Sequence, residues 1–233
     1  ITGDLPTNAD QTLVIASALW ILAGNLMLTD NRSPLTGDQP EAMVAAAEAC
    51  APGVPAMLMR TAVMLHYIRS GDFDKAEACA WENHRFAEGP EADGVDLVAA
   101  LNGLGIVAAH RGDVEETLTF MSQALAAQHA LGTSLDLNIA EGNVAEALLD
   151  LGRAHEALPH AATAVRESPF AGPIRRWALT QLARAHWMLG DQDAALGVAR
   201  EVEAALLPHL ESNPSASAEL AELRTHVPGL VKK

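Results

Sequence analysis

The sequence contains the segment Leu101-Asn-Gly-Leu-Gly-Ile-Val-Ala-Ala-His-Arg-Gly-Asp113, an apolar run that ends in a Gly-Asp pair. Similar endings recur along the chain, so that Gly71, Gly112, Gly152 and Gly190 follow one another at intervals of 41, 40 and 38 residues. One apolar stretch precedes each glycine and another follows it. A period of this size is typical of stacked helix-turn-helix units, because a single helix pair cannot bury its apolar face alone.

Composition favours an all-α protein. Hydrophobic residues make up 49% of the 233 residues, enough for a continuous core, whereas aromatic residues make up only 4%. Alanine is abundant, and small side chains allow helices to approach one another closely. The turn residues fit helix ends as well, since each glycine supplies the positive φ that ends a first helix. The aspartate behind three of the four glycines is expected to cap the second helix.

The breaks between the apolar segments predict a row of helix pairs. Residues 1–54 are expected to form N-terminal helices, at 10–28 and 41–50, that are compatible with a degenerate repeat. Residues 55–233 are expected to form the repeat array. Its pairs span residues 55–88, 95–131, 135–167 and 173–207, and a capping helix spans 215–226. Pro159 lies inside the third pair and is expected to bend its helix or delay its start.

Aligned on their glycines, the pairs resemble tetratricopeptide repeats. The second pair supplies large and small residues in the family's order at Leu101, Leu104, Gly105, Ala108 and Ala124. Small residues recur where the two helices of a pair are expected to cross, although Met64 departs from this in the first pair and Thr117 replaces an alanine in the second. The resemblance covers residues 55–207. It implies a right-handed superhelical α-solenoid of helix-turn-helix pairs with a C-terminal capping helix.

Two phrases narrow the resemblance. The segment quoted above and Asn143-Val-Ala-Glu-Ala-Leu-Leu-Asp-Leu-Gly-Arg-Ala-His-Glu-Ala-Leu158 look like repeats of actinobacterial antibiotic regulators, which carry an NB-ARC module, and of MalT-like LuxR regulators. In those families the repeats are implied to sense a ligand or partner and to relay this to ATPase and DNA-binding parts. The sequence contains no GxxxxGK[ST] phosphate loop and no basic recognition helix. Because it begins with Ile1, we expect a fragment of a longer regulator or a trimmed chain.

In such repeats the first helix of each pair is implied to line a concave binding face. The expected ligand- or partner-binding residues on it are Asn102, Ile106, His110, Asn143, Glu146, Asp150, Trp177, Thr180, Gln181, Arg184 and Trp187. Asparagine amides offer a donor and an acceptor to a peptide backbone, and tryptophans offer a large contact area. The alternative is structural: both tryptophans pack between neighbouring helices, while Asn143 and Glu146 form local hydrogen bonds from helix to helix.

Charge and motifs argue against several classes of function. The 30 acidic and 15 basic residues give a net charge of −15, which disfavours direct contact with nucleic acid and fits either simple solubility or a basic partner. The 9 histidines show no metal-ligand spacing, so neither a metal nor another cofactor is expected. No nucleophile motif is present, and we expect no enzyme activity. No apolar run is long enough to cross a membrane, and Cys50 and Cys79 are expected to be buried thiols.

The sequence therefore predicts a cytoplasmic bacterial repeat protein that binds a protein or peptide, or a small-molecule effector. Its most specific interpretation is the sensor domain of a transcriptional regulator in signal transduction. Two alternatives stay open. One is a free-standing scaffold for protein assembly, dimerising through an apolar helix at Leu13–Leu28, and the other is a peptide-pheromone receptor.

Overall fold

The computed structural model describes residues 54–90, 92, 94–133 and 136–230. Within these ranges it contains nine α-helices, one short 3-10 helix and no strand, which confirms the expected all-α class. The α-helices are α1 (Val54–Ser70), α2 (Phe73–Ala87), α3 (Gly94–Arg111), α4 (Val114–Ala130), α5 (Leu137–Asp150), α6 (Ala154–Arg166), α7 (Pro173–Met188), α8 (Gln192–Leu206) and α9 (Pro214–His226). The helices expected in residues 1–54, and Cys50 with them, lie outside the described residues. Cys79 is buried on α2.

The chain divides into two compact units, with the boundary between Ala127 and Gln128 inside α4. Unit 1 holds α1 to α3 and most of α4. Unit 2 holds the end of α4, α5 to α9 and the 3-10 helix Leu207–His209. Inside the units consecutive helices pack as pairs, α1 with α2 in unit 1 and α5 with α6 and α7 with α8 in unit 2.

The repeated glycines occupy the tight turns within the pairs. Gly71, Gly112, Gly152 and Gly190 have φ values of 77°, 82°, 73° and 81°, in the left-handed region that side chains disfavour. In every one of these turns the amide of the next residue donates to a carbonyl five positions back, at 2.8 to 3.0 Å. This bond satisfies a carbonyl at the end of the first helix. The predicted role of the four glycines is confirmed.

Aspartates cap three of the second helices, as the sequence predicts. The carboxylates of Asp72, Asp113 and Asp191 accept the amide proton of the residue three positions on, at 3.4, 3.4 and 3.2 Å. In the third pair Arg153 occupies this position and forms no cap. It binds the Glu156 carboxylate instead, through hydrogen bonds of 2.7 and 2.6 Å.

Two details of the third pair concern its helix starts. Helix α5 begins at Leu137, because Asp136 before it has a φ of 55° and a left-handed residue cannot continue into a right-handed helix. Helix α6 begins at Ala154 and contains Pro159, so of the two expected effects of this proline, a bend or a delayed start, the delayed start does not occur. The ring removes only one amide donor, and the fully buried alanines of α6 hold the helix in place.

Small residues let the paired helices approach closely, as expected. A Cβ on Gly105 of α3 would lie 2.7 Å from Cε of Met121 on α4, so the glycine marks a close crossing. Met64, the exception in the first pair, is fully buried on α1, and Gly103 of α3 leaves room for its thioether. Thr117 is buried as well, and its hydroxyl donates to the Asp113 carbonyl at 2.8 Å.

Candidate functional site

Polar side chains gather on three helices of unit 2. Helix α7 packs against both α5 and α9, so these three helices are neighbours although they are not consecutive in sequence. Positions three or four apart share one side of a helix, which aligns the residues of interest on each of them. We call this group the polar cluster: Glu146 and Asp150 on α5, Trp177, Gln181 and Arg184 on α7, and Glu222 and His226 on α9.

Two hydrogen bonds of the polar cluster join α7 to α5. The indole Nε1 of Trp177 donates to Oε2 of Glu146 at 3.3 Å, and Nη2 of Arg184 donates to Oδ1 of Asp150 at 2.7 Å. Gly142, one turn before Glu146, makes the first of these possible. A Cβ at this position would overlap the six-membered ring of Trp177, so glycine is needed for the indole to lie against α5.

The carboxyl of Glu146 is the most perturbed titratable group of the cluster. Burial raises its pKa, the neighbouring carboxylates of Asp150 and Glu222 raise it further, and together they outweigh the Trp177 hydrogen bond and Arg184. The resulting pKa is about 7, against an ordinary value of 4.5. Glu146 therefore changes its ionisation near neutral pH, which is unusual for a glutamate.

Helix α9 adds a third carboxylate, Glu222, and an imidazole, His226. Oε1 of Glu222 lies 3.9 Å from Nε2 of His226. Burial lowers the pKa of His226, and the positive charge of Arg184 lowers it further, so the imidazole is mainly neutral at pH 7. A two-pronged ion pair fixes this helix to α7, because the guanidinium of Arg176 binds both oxygens of Glu219 at 2.9 and 3.2 Å.

Gln181 lies between Trp177 and Arg184 on α7 and is 1% exposed. Its amide oxygen is buried and accepts no hydrogen bond from the described part of the chain. Leaving a buried acceptor unsatisfied costs about 1–3 kcal/mol, so the arrangement needs a reason other than stability.

The structure brings together five of the expected binding residues, those of α5 and α7 in the polar cluster. Asn143 is half-buried on α5, and Thr180 is buried with its hydroxyl donating to the Arg176 carbonyl at 3.0 Å. Trp187 packs against the apolar core of unit 2 and closely approaches Gly229. Trp187 is therefore placed as the structural alternative describes, and Trp177 also packs on a neighbouring helix.

The other three expected binding residues lie on α3 in unit 1. Asn102 is half-buried, and Ile106 packs against the apolar core of that unit. His110 is exposed and stacks on Phe73, with the ring centroids 6.4 Å apart and the planes 20° from parallel. Ile106 is placed for core packing, and these residues form no charged group comparable to the polar cluster.

Glu222 and His226 are not among the binding residues that the sequence predicts, because it predicts α9 as a cap that shields the end of the array. The sequence does contain a signal for these two residues. They are four positions apart, so they share one side of α9, and α9 follows the fourth pair, where the first helix of a further pair would begin. A helix in that place would present one side to α7, the first helix of the fourth pair.

A second polar group surrounds the buried carboxylate of Glu141. Its Oε2 lies 2.5 Å from Nδ1 of His160, and its Oε1 lies 3.7 Å from Nε2 of His129. Across the ranges that the structure describes, no three His, Cys, Asp or Glu side chains are arranged to hold a metal ion. Among the same residues, no helix combines the length and apolar character that a bilayer span requires.

A family model for the tetratricopeptide repeat matches residues 142–163 and 176–201. These ranges contain the α5 and α7 residues of the polar cluster. No curated protein matches the sequence.

Three solved structures resemble the chain in fold. TPR-like repeats of a kinesin light chain from Podosopora anserina share 15% identity, with a TM-score of 0.63 over 91% of this chain and 100% of that one. A Rap protein complexed with Competence and Sporulation Factor shares 16% identity, with a TM-score of 0.67 over 95% of this chain and 61% of that one. PlcR from Bacillus thuringiensis, in complex with the peptide PapR7 and DNA, shares 16% identity, with a TM-score of 0.61 over 97% and 77%. These likenesses show a fold of TPR-like repeats.

Proposed function

We propose that this chain, which carries tetratricopeptide repeats at residues 142–163 and 176–201, binds a peptide or a peptide segment of a protein through the polar cluster. Proteins of stacked helix pairs commonly bind their partners on an extended surface along the first helices of successive pairs. The proposal is supported by the charged, aromatic and amide side chains that α5, α7 and α9 carry in unit 2. The proposed role is recognition and not catalysis.

The observation that carries this proposal is the position of the Glu146 carboxyl, which accepts a hydrogen bond from the Trp177 indole at 3.3 Å and has Arg184 among its charged neighbours. Keeping a carboxyl with a pKa of about 7 inside the protein lowers stability at neutral pH, because the folded state resists its ionisation. Groups perturbed by burial and by specific charged neighbours concentrate at functional sites. In the polar cluster that carboxyl lies beside an indole and an arginine, the two side-chain types most enriched at binding hot spots.

We further propose that the module is the sensor of a cytoplasmic bacterial transcriptional regulator. The support is a likeness of fold: PlcR is bound to the peptide PapR7 and DNA, and the Rap protein is bound to Competence and Sporulation Factor. A peptide that fills the polar cluster would favour one packing of α5, α7 and α9 over another, and that preference is the signal to be relayed.

Selection from a random peptide library tests the binding role. Peptides selected on the wild-type chain are titrated against it and against the double variant Trp177→Phe/Arg184→Ala, which removes both hydrogen bonds that join α7 to α5 in the cluster. We expect the double variant to lose most of the affinity, while circular dichroism shows unchanged helix content. Arg200→Ala is the matched control, since it removes one exposed arginine from α8. Equal affinity of the double variant and the control would refute the binding role of the cluster.

The regulator role has a separate test in the gene that encodes the chain. A DNA-binding segment and a phosphate-loop ATPase encoded upstream of residue 1, in the same reading frame, are expected. A start codon immediately before residue 1 would contradict the role and favour the free-standing scaffold.

A further inference from the structure

We infer that the polar cluster is a binding site for a primary ammonium group, such as the end of a lysine side chain in the peptide partner. This inference rests on the proposed function and names the chemistry of its ligand. It follows from the charges of the cluster, from one unsatisfied acceptor and from the number of hydrogen bonds that an ammonium group donates.

The charges of the cluster do not balance. Arg184 is its one permanent cation, and the 2.7 Å bond commits that guanidinium to Asp150. Among the described residues, the Glu146 carboxylate accepts a hydrogen bond only from the neutral indole of Trp177. The Glu222 carboxylate lies 3.9 Å from the imidazole of His226. An anionic ligand would therefore meet excess negative charge, whereas a cation would supply what is missing.

Gln181 is an independent sign of a missing donor. Its position between Trp177 and Arg184 on α7 places it on the side of the helix from which both neighbours reach α5. The unsatisfied atom is the amide oxygen, which can only accept a hydrogen bond. A ligand with an N–H group would satisfy it, and a carboxylate or phosphate ligand would not.

An ammonium group fits this set of acceptors in number. It carries three donors on a compact, rotatable head, and no acceptor. The Glu146 carboxylate and the Gln181 oxygen provide two acceptors, and the outer carboxylate of Glu222 provides a third. The planar guanidinium fork favours paired carboxylate oxygens in one plane, and Arg184 already uses Asp150 in this region.

Binding of the cation is coupled to the release of a proton from Glu146. The groups that face Glu146 are Asp150 on its own helix, Arg184 on α7 and Glu222 on α9, while His160 of α6 is engaged by Glu141. A bound cation favours the ionised carboxyl, so binding releases a proton when the pH is near the pKa of about 7. Between pH 6 and pH 8 the ionised fraction of Glu146 rises about tenfold, and the affinity for the cation should rise by a similar factor.

The test is a titration with n-butylammonium chloride, followed through the indole resonances in a ¹H–¹⁵N spectrum. The sequence has 4 tryptophans, so these signals are few, and Trp177→Phe assigns the one of interest. We expect a saturable shift of the Trp177 signal with n-butylammonium and none with n-butanol, which has the same length without the charge. The affinity should rise about tenfold from pH 6 to pH 8.

Glu146→Gln keeps the size of the side chain and removes its charge, and we expect it to weaken n-butylammonium about tenfold and to abolish the pH dependence. Glu211→Gln, an exposed site beyond the 3-10 helix, removes the same charge and should change neither. Equal shifts with n-butanol, or equal affinity in the two variants, would overturn the inference. Either result would leave the peptide titrations of the proposed function untouched, so the two proposals fail separately.

Discussion

Ile106 in unit 1 and Glu146 in unit 2 occupy the same repeat position, six residues before Gly112 and Gly152. The turns that follow them have the same backbone hydrogen bonds and nearly the same φ values at glycine. Ile106 packs on an apolar core, whereas Glu146 is held half-buried among other polar groups. Glycines and alanines therefore determine the backbone of a repeat, and they do not restrict the side chain at this position. The side chain packs on the core in one repeat and joins a polar group in the other.

The largest expected difference in stability between the two units comes from substituting a glycine of α3 and a glycine of α5. Gly142→Ala should lower the free energy of unfolding of unit 2 by about 3 kcal/mol, because the added methyl overlaps the Trp177 ring. Gly105→Ala in unit 1 should cost less than about 1 kcal/mol, since the added methyl meets only the flexible end of Met121. Urea unfolding of both variants checks the difference, and equal losses would show that Trp177 is not fixed by Gly142.

The second-largest expected effect on stability comes from exchanging the side chains at the repeat position that Ile106 and Glu146 share. Ile106→Glu should destabilise unit 1 by about 2 kcal/mol at pH 7, because it brings a carboxylate against an apolar core without a partner. The matched change, Glu146→Ile, should leave the stability of unit 2 unchanged or raise it. Thermal unfolding at pH 7 measures both, and a large loss in Glu146→Ile would mean that the polar cluster is needed for folding.

The pH dependence of stability is a further expected difference between the Glu146 position and the Ile106 position. The pKa of Glu146 is about 7 in the folded chain and near 4.5 when unfolded, so the unfolded chain releases this proton first as the pH rises. Stability should therefore fall between about pH 4.5 and pH 7 and then level off, by about 1–2 kcal/mol because the side chain keeps some contact with water. Urea unfolding of wild type and Glu146→Gln from pH 4 to 8 checks this. A difference between them that does not change with pH would contradict the raised pKa.

The smallest effect concerns the caps that both units share. Asp113→Ala and Asp191→Ala should each lower the free energy of unfolding by about 1 kcal/mol, since each removes a side-chain acceptor at a helix start. Arg153→Ala should change stability least, because Arg153 makes no cap. If all three alanine variants behaved alike in thermal unfolding, the caps would not distinguish the third pair from the others.

Helix positions could be predicted from the sequence because glycine, proline and cap residues mark their ends. The exceptions were conformational, since nothing in the residue type showed that Asp136 is left-handed or that α6 tolerates Pro159. The candidate site was predicted less completely. Helical spacing selects a wide stripe and cannot separate residues that face a core, such as Ile106, from residues that face a neighbouring polar side chain, such as Glu146.

The central claim is that recognition takes place at the polar cluster of unit 2. Two tryptophans allow the comparison, because Trp177 lies inside the cluster whereas Trp81 packs edge-to-face against Phe120 in unit 1. The most direct measurement is a ¹H–¹⁵N titration of the wild-type chain with a peptide selected on it. We expect the indole signal of Trp177 to move and that of Trp81 to stay in place. A bound peptide that shifts Trp81 and leaves Trp177 unchanged would contradict the claim.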